Sequence, residues 1–114
     1  MAYIVAEPCI KCKYTDCVLI CPVMCFHEGA NMVVIDPVVC IDCGACVDKC
    51  PVHAIFPEEE LPEKWQEYKK INATYCKQWP MLTYIKHPME TADEFKTLAA
   101  KRDLFDPAPG TGDK

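Results

Sequence analysis

The apolar positions of this chain come in short runs. Four of them stand out: residues 3–6 (Tyr-Ile-Val-Ala), 25–27 (Cys-Phe-His), 32–35 (Met-Val-Val-Ile) and 54–56 (Ala-Ile-Phe). Brief stretches rich in β-branched and aromatic residues predict short strands. The runs at 3–6 and 32–35 lead into Glu-Pro and Asp-Pro, then into a cysteine-rich segment, then into the next run. A strand–helix–strand unit used twice is the expected arrangement. Further along, the period lengthens. Trp65, Tyr68, Ile71, Tyr75 and Trp79 recur at three- and four-residue spacing, so residues 62–78 predict an amphipathic helix entered at Pro62. An aromatic stripe of this kind predicts a cover packed on the front half. Thr91-Ala-Asp-Glu94 is a capping box opening a second short helix, with Phe95, Leu98 and Ala99 inward. Residues 106–114 hold two prolines and two glycines and are expected to be mobile. The expected division is thus 1–57, 58–105 as a helical extension packed on it, and 106–114 as a tail.

Composition changes this picture in one respect. Ten of the 114 residues are cysteine, and nine of those precede position 51. No basic start followed by an apolar stretch marks export, so a disulfide framework is not expected, and metal ligation or redox chemistry is. The apolar stretch at 17–25 is far short of the ~20 residues a bilayer requires, and mean hydropathy is −0.04. A cytoplasmic, membrane-free chain is the expectation. The net charge of −5 argues against nucleic-acid binding. Charge is also uneven: residues 1–57 carry Lys11, Lys13 and Lys49 against six acids, whereas 58–114 carry nine bases and eleven acids.

The cysteines form two runs. The first reads Cys9-Ile-Lys-Cys12-Lys-Tyr-Thr-Asp-Cys17-Val-Leu-Ile-Cys21-Pro22-Val23, the second Cys40-Ile-Asp-Cys43-Gly-Ala-Cys46-Val-Asp-Lys-Cys50-Pro51-Val52. Cys17, Cys21, Pro22 and Val23 recur 29 positions on, and Cys9 and Cys12 recur 31 positions on. The second run has the Cys-x-x-Cys-x-x-Cys-x-x-x-Cys-Pro spacing of a cubic iron–sulfur site. Three ligands to neighbouring iron corners must come from one tight loop, whose backbone N–H groups also turn toward the sulfides. The fourth cysteine lies a helical turn on and, in two-cluster proteins, ligates the other site. Structural zinc also uses paired Cys-x-x-Cys motifs, but the Cys-Pro endings, the four-cysteine run and the duplication are not zinc features. In the first run two extra residues before Cys17 displace Cys12 relative to Cys43. Its site either has three irons without Cys12, or four with Cys12 swung in. Cys25 and Cys76 lie outside both runs and are expected to be small buried hydrophobes, and His27, His53 and His87 are not expected to be ligands.

These residues resemble the seven-iron bacterial ferredoxins, which hold a 3Fe–4S cluster, a 4Fe–4S cluster and a C-terminal extension. The likeness rests on Pro8 through Cys17, the Cys-Ile-Asp-Cys43 and Cys-Pro-Val23 segments, Ala-Ile-Phe56 and, more loosely, Asn72-Ala73 and Trp79-Pro80. It implies an α+β, ferredoxin-like pseudo-twofold fold: two short helices and antiparallel strand pairs around two clusters, with a helical C-terminal extension. It further implies Cys21, Cys40, Cys43 and Cys46 as the 4Fe–4S ligands and Cys9, Cys17 and Cys50 as the 3Fe–4S ligands. Asp16, which precedes Cys17, is implied as a proton relay to the reduced three-iron site.

The implied function is that of a soluble, low-potential electron carrier and not an enzyme, since no nucleophile–base pair is visible. Its partners would be redox proteins such as a reductase, a monooxygenase or nitrogenase, met by a monomer whose loaded clusters deepen the −5 charge and favour a basic docking face. Other readings are an eight-iron ferredoxin with two 4Fe–4S clusters, an iron–sulfur subunit of a larger oxidoreductase, and a redox-sensing regulator.

Overall fold

The computed structural model describes residues 3–15, 17–18, 25–40, 44, 46–50, 53–83, 89, 92, 104–110 and 112. Four three-residue strands form where the apolar runs predict them: β1 (Tyr3–Val5), β2 (Phe26–Glu28), β3 (Val33–Ile35) and β4 (Ile55–Pro57). They make two antiparallel pairs. β2 and β3 form a local hairpin with Phe26 opposite Ile35, whereas β1 pairs across the chain with β4, Val5 opposite Ile55. Among the described strands, the first is thus closed by the last.

Strands this short cannot stand alone; the extension ties them together. Its helix α1 (Glu67–Tyr75) packs on β1 and β3, one strand from each sheet. Asn72, fully buried on that helix, makes the join. Its side-chain oxygen accepts the N–H groups of Val5 (3.1 Å) and Ile35 (2.9 Å), and its amide donates to the carbonyls of Val5 (2.9 Å) and Tyr68 (2.8 Å). One side chain therefore bridges the two sheets at their facing edges.

The helix is shorter than the periodicity predicts. A 3₁₀ turn at Glu63–Trp65 precedes it, and turns follow at residues 76–78. Three-residue apolar spacing suits a 3₁₀ turn as well as an α-helix, and 3₁₀ turns are common at helix starts, so the stripe alone cannot separate them. The stripe does face inward: Tyr68, Ile71 and Trp79 are buried, and Trp65 and Tyr75 pack against the core. The second expected helix, over 91–99, lies outside the described residues except for Ala92, which is helical and buried.

The extension also covers the free edge of β2, a site that would otherwise invite pairing with another chain. Glu28 donates its N–H to Pro80 (2.8 Å), and Phe26 accepts the N–H of Leu82 (3.0 Å). Trp79 lies flat on Gly29, where a Cβ would come within 2.5 Å of the indole, so that position admits only glycine without rearrangement. Tyr75, Trp79 and Phe105 form an aromatic cluster, with Tyr75 and Trp79 stacked at 4.9 Å. The described residues of the last segment are hydrogen-bonded. Pro107 accepts the Trp79 indole N–H (2.9 Å), Ala108 accepts the N–H of Ala30 (2.9 Å), and Gly110 donates to the Glu28 carbonyl (2.9 Å).

Candidate iron–sulfur site

The 3₁₀ turn Glu7–Cys9 delivers Cys9 directly after β1. Its opening residue, Glu7, is buried and accepts a hydrogen bond from the Tyr68 hydroxyl at 3.0 Å, so helix α1 steadies the turn that presents the first cysteine. In the second run the 3₁₀ turn Val47–Lys49 lies between Cys46 and Cys50. Each run has a left-handed residue just after its second cysteine: Lys13 at φ 47° and Gly44 at φ 76°. Glycine takes that conformation freely, whereas lysine is held there against a cost of about 1 kcal/mol. The hold on Lys13 is an ion pair with the buried carboxylate of Glu28, at 2.9 Å.

Cys9, Cys17, Cys46 and Cys50 are all buried. Burial pushes the Cys17 thiol well above the ordinary thiol range, and Cys9, Cys50 and Cys46 push it further up through their charges. Thiols from both runs therefore act on one sulfur. Such a centre suits a cluster: bare thiolates packed this way repel one another, and bound iron deprotonates thiols outright and offsets their charge. Backbone donors point at the sulfurs as well. Val33 N–H donates to Cys9 Sγ (3.5 Å) and Ala54 N–H to Cys50 Sγ (3.3 Å). Among the described residues no group of three or more His, Cys, Asp or Glu side chains converges on one point that could hold a single metal ion.

The other expected site residues fall as follows. Cys40 is half-buried, its N–H bonded to Asp36 (3.0 Å). Cys21, Cys43 and Asp16, along with His87, lie outside the described residues. Cys12 is fully buried and points to the extension, its thiol donating to the Ala92 carbonyl at 3.6 Å. Cys25 and Cys76 are buried, and the Cys76 thiol donates to Ala73 (3.3 Å). The His27 ring donates from Nδ1 to the Trp79 carbonyl (2.9 Å), and His53 is exposed. Sequence reasoning did not single out Glu7 or Glu28. Asn72 entered only through the looser likeness at Asn72-Ala73, and its one physical signal is a polar residue beside the apolar stripe of a helix.

A small α+β protein whose two cysteine runs meet in a buried, thiol-lined centre belongs to the class that carries iron–sulfur clusters. Comparison with known proteins narrows this. Residues 33–56 match the 4Fe-4S binding domain, and residues 66–106 match a domain of unknown function that spans helix α1 and its sequel. The chain is 46% identical to "Ferredoxin-1" of Caulobacter vibrioides over 98% of this chain and 99% of that one. It is 49% identical to the "Ferredoxin" of Rickettsia felis over 84% of this chain and 87% of that one. The chain belongs to the ferredoxins, iron–sulfur electron carriers rather than enzymes. No described helix is long and apolar enough to cross a membrane.

Proposed function

We propose that this ferredoxin carries one 3Fe–4S and one 4Fe–4S cluster in a pseudo-twofold cage. Cys9, Cys17 and Cys50 hold the first, and Cys21, Cys40, Cys43 and Cys46 hold the second. The observation that carries this reading is the division among the thiols of the first run: Cys17 is buried within reach of the charges of Cys9 and Cys50, with Cys46 acting more weakly, while the Cys12 thiol is bonded to the extension. When bound, the clusters take up and release single electrons with little change of geometry. The chain's own residues exclude water around them and direct the N–H groups of Val33 and Ala54 at ligand sulfurs, which eases the added negative charge. The electrons pass to and from redox enzymes of the cytoplasm, met by a monomer. Asp16, next to Cys17 in sequence, serves as the proton relay of the three-iron site.

Ligand replacement tests the assignment. Cys12→Ala is expected to retain all seven irons, whereas Cys17→Ala and Cys50→Ala lose the three-iron signal. Loss of a whole cluster from the Cys12→Ala protein would refute it. Asp16→Asn is expected to leave both clusters assembled and to slow proton-coupled reoxidation in fast-scan voltammetry; unchanged kinetics would reduce Asp16 to a turn residue.

A further inference from the structure

The loop from Cys9 to Cys17 is fastened on both sides of Cys12. Lys11 donates its N–H to the Asn31 carbonyl (2.9 Å), and Lys13 donates its own to Cys9 (2.9 Å). Lys13 Nζ reaches Glu28 (2.9 Å) and the carbonyls of Gly29 and Ala30 (3.4 and 3.3 Å). Lys11 and Lys13 are both left-handed, at φ 69° and 47°, so the peptides either side of Cys12 are turned from ordinary geometry. Between them the extension takes hold. Met89 N–H donates to the Cys12 carbonyl (3.1 Å), the Cys12 thiol donates to Ala92 (3.6 Å), and Ala92 N–H closes the turn on Met89 (2.9 Å). Further along, Gly112 N–H donates to Glu28 Oε1 (2.7 Å), so the end of the chain also braces the carboxylate that holds Lys13.

We infer that the C-terminal extension fixes the iron count of the first site by sequestering Cys12, the thiol of the first run that the reading above leaves without iron. This rests on the three-iron reading above. The reaction held off is the addition of ferrous ion to the reduced site, [3Fe–4S]⁰ plus Fe²⁺ giving [4Fe–4S]²⁺. Cys12 Sγ forms the new bond to iron, and its proton leaves to solvent. Charge and electrons balance without a further oxidant or reductant. To take part, Cys12 must break its bonds to Met89 and Ala92 and rotate peptides that Lys13 and Glu28 hold in place. The lock is built from residues about 80 positions away in sequence, and it acts on a cysteine that the two extra residues before Cys17 already displace within its run.

Two holoprotein variants test the lock. Met89→Pro removes the N–H that grips the Cys12 carbonyl, and Lys13→Gly keeps the left-handed backbone while releasing Glu28. Each is reduced anaerobically with excess ferrous ion, reoxidised, and assayed for iron per chain and for the three-iron paramagnetic signal. The parent is expected to stay at seven irons with its signal intact. Both variants are expected to rise to eight and lose the signal, and adding Cys12→Ala to either is expected to restore seven. Variants that remain at seven, a parent that takes up iron as readily as they do, or uptake that survives Cys12→Ala would each overturn the lock. A parent that holds eight irons as isolated defeats the three-iron reading itself, a result distinct from the other three.

Discussion

Asn72 shows how much of this molecule turns on single polar side chains. It has four hydrogen bonds and no exposed surface, so replacing it leaves buried backbone groups of both sheets without partners. Each such group costs about 1–3 kcal/mol. Asn72→Leu, with similar volume, is therefore expected to destabilise the holoprotein by about 3 kcal/mol or more in chemical denaturation; a loss under about 1 kcal/mol would mean that the two sheets do not depend on this bridge. Cys76 is the opposite case, a buried thiol with no role in the cluster reading. Burial pushes its pKa up, and Asp36 adds to this. The thiol form is favoured by folding, so this contribution to stability is present below the ordinary thiol pKa of about 8.5 and is lost as pH rises through the native value. Alkylation of Cys76 in the native protein, followed by mass spectrometry at pH about 8.5–9, is expected to be much slower than in the unfolded chain, and equal rates would show the thiol to be exposed. The sequence marked the cysteines clearly, because metal ligation demands a residue type at a spacing. It marked Asn72 and Glu28 poorly, because a buried amide or carboxylate is justified by partners far away in the chain.

At the scale of elements, all four described strands lie within a residue of their apolar runs, since short runs rich in β-branched and aromatic residues favour extended backbone. Their pairing was less legible. A three-residue strand carries too little alternation to choose a partner or a register, and β1 finds β4 because the second cysteine run returns the chain to it. The contacts of the last segment were not legible. Pro107, Ala108 and Gly110 bond through the backbone to Trp79, Ala30 and Glu28, and backbone contacts leave no side-chain signature. Truncation after Phe105 is accordingly expected to lower the melting temperature by several degrees, at about 4–8 °C per kcal/mol for a domain of 60–100 residues; an unchanged melt would show that these bonds add nothing. Gly29→Ala drives a methyl group into the Trp79 ring, and the overpacking is expected to cost about 1–3 kcal/mol by the same assay. A neutral substitution would place the indole elsewhere in solution.

For the molecule as a whole, the thiol-lined centre is part of one core with the apolar side chains. Ile4, Val5, Phe26, Val33, Val34 and Ile35 are buried, and Cys9, Cys17, Cys46 and Cys50 sit among them. Folding and cluster binding should then be one transition, because ligands that repel one another when bare are held together only by iron. Chelation of iron under denaturant-free conditions is expected to abolish the tertiary near-ultraviolet signal along with the visible absorbance, and a folded iron-free chain would show that the extension and strands suffice. The extension reaches the same centre from outside, through Tyr68 on Glu7 and through Ala92 on Cys12. Electron paramagnetic resonance of the oxidised protein as isolated tests the central claim most directly. Three ferric ions leave an odd electron count, whereas an oxidised 4Fe–4S cluster is diamagnetic, so a spin signal of about one per chain with seven irons is expected. A silent oxidised protein with eight irons would contradict it.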